Sequence, residues 1–82
     1  MFLHVGFNNY VNVNKVTSIV STHKNIPAPI RRLIWKAEDE GKLINLTSGR
    51  KTRSVIITDT GQVVLSAVEG ATLNNRLKES KG

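Results

Sequence analysis

Eighty-two residues without a cysteine make one domain near the lower limit for a self-sufficient core, and they exclude disulfide staples and thiolate metal sites. Twelve Lys/Arg against six Asp/Glu leave a formal net charge of +6, which favours an anionic partner: nucleic acid first, then an acidic protein or a membrane surface. The acids are segregated, because none precedes Glu38 whereas Lys15, Lys24, Arg31, Arg32 and Lys36 all do.

The apolar opening Met1-Phe2-Leu3-His4-Val5 is cut off by Asn8 and Asn9, too early for a secretory core or a membrane span, so the expected location is the cytoplasm. Leu3, Val5 and Phe7 alternate with His4 and Gly6 as a first strand. Asn8-Asn9 signals a turn, and Tyr10-Val11-Asn12-Val13 reads as the returning strand. Asn14-Lys15 is a bend before the β-branched stretch Val16 to Val20, and Thr22 to Asn25 is polar loop.

Pro27-Ala28-Pro29 opens a helix, since proline is tolerated in the first turn, where no carbonyl would receive its missing N–H. Ile30, Leu33, Ile34 and Ala37 form its apolar face, and Gly41 stands where a left-handed C-cap is needed. Glu38 and Lys42 are spaced as a favourable i, i+4 pair. Leu43 to Leu46 follows as a strand. Ser54 to Thr58 and Gln62 to Val68 flank Asp59-Thr60-Gly61 as a β-hairpin, and their two-sided apolar character puts it mid-sheet. Ala71 to Lys78 is a short closing helix anchored by Leu73 and Leu77. The predicted class is α+β: a small, mainly antiparallel sheet with one main amphipathic helix packed on it and a short C-terminal helix, in one domain over residues 1–80, with 81–82 as a tail. A domain this small and unstapled is expected to oligomerise.

The strongest functional signal is Ser48-Gly49-Arg50-Lys51-Thr52-Arg53-Ser54. Three cations fall within four residues, among hydroxyls and a glycine, and no acid occurs from Gly41 through Thr58. Such a loop is equipped to wrap phosphate oxygens, and a solvated basic loop is the alternative. Lys15 lies on a bend between strands; a solvated turn lysine is the leading reading there, and a position beside this loop is the functional alternative. Trp35, the only tryptophan, falls about 140° round the helix from Ile30, away from the apolar face. Arg31 and Arg32, one turn earlier, are within cation–π reach of it. Subunit contact through Trp35, Arg31 and Arg32 is the leading reading, ahead of an indole covered by its own arginines and of base stacking.

Catalysis finds little support. His4 sits in a strand and His23 in a polar loop, without ligand spacing, and Glu38, Asp39 and Glu40 form a charged helix face rather than an acid/base pair. There is no Walker-type loop, nucleophile elbow or metal cluster in the sequence, so neither an enzyme nor a cofactor is expected. Asn45-Leu46-Thr47 matches a glycosylation sequon of the kind that arises by chance.

Five segments in register carry a resemblance. They are Val5-Gly6-Phe7-Asn8-Asn9, Asn14 through Val20, Ala28-Pro29-Ile30-Arg31-Arg32, Gly49 through Ile56, and Val63 through Val68. Together they resemble the RemA-type extracellular-matrix regulatory family of bacteria over nearly the whole chain. The resemblance implies a cytoplasmic DNA-binding transcription regulator of biofilm-matrix genes, assembled as a ring of identical subunits. It points to Arg50 and Lys51 as the paired cations, Arg53 as the arginine beyond them, and Lys15 at a position where the family can carry arginine. Lysine at 15 and 51 keeps the charge but lacks the bidentate fork, which suits phosphate better than base edges. The partners expected are therefore double-stranded DNA and further copies of the chain. An RNA-binding accessory protein and a basic adaptor for an acidic protein are the alternatives.

Overall fold

The computed structural model describes residues 2–6, 9–22 and 25–81. The expected turn at Asn8, Phe7 of the first strand, and His23 and Lys24 of the polar loop lie outside the described residues.

Strands β1 (Phe2–Gly6) and β2 (Asn9–Asn12) form an antiparallel two-stranded sheet. A single 3-10 turn (Val13–Lys15), capped by the Asn12 side chain accepting from the Asn14 N–H, passes the chain into β3 (Val16–Ser21). Helix α1 (Ala28–Asp39), β4 (Leu43–Leu46), β5 (Ser54–Thr58), β6 (Val63–Ser66) and α2 (Gly70–Lys81) follow. The second sheet is ordered β3-β5-β6-β4, with β3/β5 and β5/β6 antiparallel and β4/β6 parallel. The fold is α+β, and the β5–β6 hairpin lies mid-sheet as its two-sided apolar pattern requires.

Side-chain alternation in the two central strands divides the molecule into three layers. Val55, Ile57, Val63 and Leu65 face α1, where Ala37 is buried and Ile30 and Ile34 pack on them. Ile56 and Val64 face the other way, into a core shared with Leu3 and Val5 of β1 and Leu73 of α2. A bulge at Thr17 brings both Val16 and Ile19 to that second core. The four-stranded sheet is thus sandwiched between α1 and a layer made of the β1–β2 hairpin and α2.

Helix α1 opens on the Pro27 carbonyl, which accepts from the N–H groups of Ile30 and Arg31, and no side chain caps it. It closes in a Schellman motif: Lys42 N–H reaches Ala37 O at 2.7 Å and Gly41 N–H reaches Glu38 O at 3.1 Å, with Gly41 at φ +70°. That cap takes Lys42 off the helix, so the expected i, i+4 geometry between Glu38 and Lys42 does not form. Helix α2 is twelve residues long, as is α1, and reaches Lys81 instead of stopping at Lys78. The tail expected at 81–82 is helical at Lys81, and Gly82 lies outside the described residues. Among the described residues no helix is long and apolar enough to cross a membrane.

Candidate nucleic-acid interface

The basic loop leaves the edge strand β4 and enters the central strand β5, so both of its ends belong to the sheet. Asn45 braces the first end: its Oδ1 accepts from the Thr47 N–H at 3.0 Å and from the Thr47 hydroxyl at 2.7 Å. The tripeptide that matches a sequon is therefore an Asx turn. Thr47 O then accepts from the Arg50 N–H at 3.0 Å, closing a tight turn whose central residues both take positive φ, Ser48 at +51° and Gly49 at +81°. Left-handed geometry at consecutive residues reverses the chain in the least length, which is why a glycine is needed here.

The far end is pinned from two strands. Thr22, buried at the end of β3, donates its N–H to Arg53 O at 3.0 Å and its hydroxyl to Thr52 O at 3.1 Å. The Arg53 N–H donates to Ser66 O of β6 at 2.8 Å. Ser48 through Lys51, between these anchors, are all exposed. The loop is a short braced prow with Ser48 and Gly49 at its tip and Arg50 and Lys51 following directly.

Arg53 behaves differently. Its Nη1 donates to Glu69 Oε1 at 2.8 Å in a half-exposed ion pair. The loop lacks acids in sequence, but the turn before α2 brings one to it. Arg53 therefore ties the loop to the α2 layer while its side chain stays about half exposed.

Lys15 is not beside the loop. β3 and β5 are antiparallel with Ser21 opposite Ser54 and Val16 opposite Thr58, so the loop is at one end of this ladder and Lys15 at the other. About 15 Å of strand separates them, at ~3.3 Å per residue. The carbonyl of Lys15 accepts from the Asp59 N–H at 2.8 Å, which fixes it against the β5–β6 turn. There it borders a cavity of about 270 Å³ together with Tyr10, Asn12, Ile44, Thr60 and Gln62. The alternative that a bend brings Lys15 to Arg50 fails because the bend lies at the other end of an antiparallel pair.

Residues 2–77 match the family described as RemA-like: Extracellular matrix regulatory protein A-like. The chain belongs to that family. Its relatives include a protein of Desulforamulus reducens, 49% identical over 75 residues, which cover 92% of this chain and 80% of the relative. A protein of Finegoldia magna is 49% identical over 78 residues, covering 95% and 90%. One from Nostoc punctiforme is 47% identical over 79 residues, covering 96% and 86%. All three carry the name "Putative regulatory protein".

Trp35 is 60% exposed on the outer side of α1, flanked by exposed Arg31 and Arg32, so the indole is not covered by its own arginines. His4 packs against Tyr10 at a centroid distance of 5.1 Å, while Arg76 Nη1 donates to His4 O at 2.9 Å. It is a strand histidine with partners. Among the described residues no three His, Cys, Asp or Glu side chains gather as a metal site.

The residues that sequence reasoning missed are those that hold the loop: Asn45, Thr22 and Glu69. Asn45 two residues before Thr47 was a legible Asx signal. Nothing local marks Thr22 or Glu69, whose contacts span 30 and 16 residues of sequence.

Proposed function

We propose that this RemA-like protein is a regulatory DNA-binding protein that works as a homo-oligomer and grips the duplex backbone through its projecting loop. The observation that carries the reading is the braced turn Thr47–Arg50, which presents Arg50 and Lys51 at a fixed position off the end of the sheet. Cations held in place lose less freedom on meeting phosphate than cations on a mobile tail, so more of each charge-assisted hydrogen bond is kept as affinity. A regulatory role rather than an enzymatic one also accords with the family and with the relatives' names.

Arg50 and Lys51 are the primary contacts. Arg53 supports them from its pair with Glu69 and offers its remaining N–H groups. Lys15 acts as a separate contact, displaced along β3 by a distance comparable to half a turn of duplex. One loop with so few charges would bind weakly at physiological salt, because each neutralised phosphate contributes modestly. Repetition of the loop around an assembly makes later contacts intramolecular and raises avidity steeply. Backbone contacts do not read bases directly, so selectivity among matrix genes would come from duplex shape and bendability.

The test is duplex binding by wild type and Arg50→Ala across a salt series, with molecular mass recorded in parallel. Loss of tight binding by an intact assembly supports the reading. A dissociated Arg50→Ala would make the loop a subunit contact instead, and preference for single strands would favour an RNA partner.

A further inference from the structure

The outer side of α1 has a charge pattern opposite to the one its own dipole prefers. Arg31 and Arg32 lie in the first turns, near the positive end, and Glu38 and Asp39 in the last, near the negative end, where Lys36 is the one base. Acids at the start and bases at the end would stabilise an isolated helix, so this order is locally unfavourable. Among the described residues the one ion pair in the chain is Arg53–Glu69, so none of these four charges is compensated there at ion-pair distance. The pattern has a second property: it is centred on Trp35. Arg31 and Asp39 are four residues to either side of it, Arg32 and Glu38 three.

Helical geometry turns that symmetry into a docking rule. Residues seven apart lie on nearly the same side of a helix, so Arg31 shares a flank with Glu38 and Arg32 shares the other with Asp39, with Trp35 between. A second α1 laid antiparallel across the first, about a two-fold axis at Trp35, keeps each flank facing its own image and reverses the direction along the helix. Arg31 then meets Glu38 of the other copy and Arg32 meets its Asp39, with axial offsets of about 1.5 Å from the rise per residue. Each pair occurs twice. The two indoles meet at the centre, where an exposed tryptophan is the residue type most able to anchor an interface.

We infer that α1 is a two-fold contact between copies of this chain, made by Trp35 and by reciprocal Arg31–Glu38 and Arg32–Asp39 pairs. This rests on the homo-oligomer part of the proposed function and names the surface that makes it. The partner is a second copy because the surface is complementary to itself: it carries both halves of each pair in the order a two-fold axis demands. An acidic partner would match only the arginine half and be repelled by the other. The anti-dipole charge order follows as a cost of that self-complementarity. An isologous contact closes as a dimer, and combined with any ring it gives dihedral symmetry.

Charge reversal tests this, with sedimentation mass and the emission of Trp35, the sole tryptophan, as readouts in the absence of DNA. Arg31→Glu/Arg32→Glu leaves only acids on the contact, and Glu38→Arg/Asp39→Arg leaves only bases. Each should repel itself, at least halving the mass and weakening self-association roughly 100-fold or more, since juxtaposed like charges cost several kcal/mol. An equimolar mixture of the two should reassemble with blue-shifted emission, and so should the single chain carrying all four reversals. Both paired reversals improve the match to the helix dipole, so folding is retained and circular dichroism verifies it. Wild-type mass in both paired variants, whatever their duplex affinity, overturns the contact while leaving the DNA-binding reading intact. Failure of the mixture to reassemble overturns it as well. A wild type that stays monomeric at every concentration overturns both the contact and the assembled regulator.

Discussion

Arg53 and Glu69 join the basic loop to the turn before α2: Arg53 Nη1 lies 2.8 Å from Glu69 Oε1, both side chains being about half exposed. Of the three cations of the loop, Arg53 is thus partly spent on its own scaffold. Being exposed, the pair adds at most about 1 kcal/mol to stability. Its larger effect is on how much positive charge reaches a ligand.

Glu69→Gln is expected to release Arg53. Duplex affinity at low salt should rise, and the slope of log K against log salt should steepen by about 0.9 per subunit engaged, one more phosphate being neutralised. The melting temperature should move little. An unchanged slope would place Arg53 away from the duplex.

Asn45→Ala removes the acceptor for both the Thr47 N–H and the Thr47 hydroxyl. The N–H belongs to a buried residue, so a loss of about 1–3 kcal/mol is expected on denaturant unfolding. Duplex binding should weaken as well, although Asn45 carries no charge, because the prow is no longer held. Stability loss with undiminished duplex affinity would show that presentation of Arg50 does not depend on the brace.

Gly49 separates conformation from packing. Nothing lies within 4 Å of where a Cβ would stand, yet its φ is +81°. Gly49→Ala should therefore cost about 1 kcal/mol through backbone strain alone. Gly70 is the reverse case: its added methyl would run into the Ser21 side chain and lie 3.3 Å from the Ser21 Cα. Gly70→Ala should push α2 off β3 and cost more than Gly49→Ala in the same denaturant titration, while leaving Arg50 and Lys51 in place.

Ser66 shows how the layers are locked. It is fully buried, donates its hydroxyl to Val5 O at 2.7 Å and accepts from the Val68 N–H at 3.0 Å, tying the four-stranded sheet to β1. Ser66→Ala strands both groups and should cost about 2–4 kcal/mol, one buried donor and one acceptor being lost. For a domain of this size that is a fall in melting temperature of at least about 8 °C.

Much of this architecture was legible because its local signals agree with its tertiary context. Proline at the start of α1 and Gly41 at its end bound that helix, and the two-sided apolar strands around Asp59-Thr60-Gly61 sit mid-sheet. What was hidden depends on contacts distant in sequence. Among the described residues the β1–β2 hairpin pairs only with itself and makes a separate layer, which alternation in Leu3 and Val5 could not distinguish from membership of one sheet. The C-terminal extent of α2 eluded a reading that weighed only its two leucine anchors. At the site, Arg50 and Lys51 were readable as a cluster, but whether Lys15 joins them was not, because its position depends on which strand pairs with which. The Arg53 ion pair was hidden because Glu69 lies sixteen residues away in sequence. The balanced charges about Trp35 were in plain view, yet only the exposure of that helix side gives them meaning.

The central claim is that the prow grips DNA. The most direct measurement is duplex binding by wild type and Arg50→Ala across a salt series, with mass determined in the same solutions. An oligomer that binds cooperatively, weakens steeply with salt, and loses about tenfold or more in affinity on Arg50→Ala without losing mass is the expected result, one charge-assisted contact being worth roughly that factor. A stable oligomer indifferent to duplex at every salt concentration would contradict the account and turn the basic face toward an acidic protein.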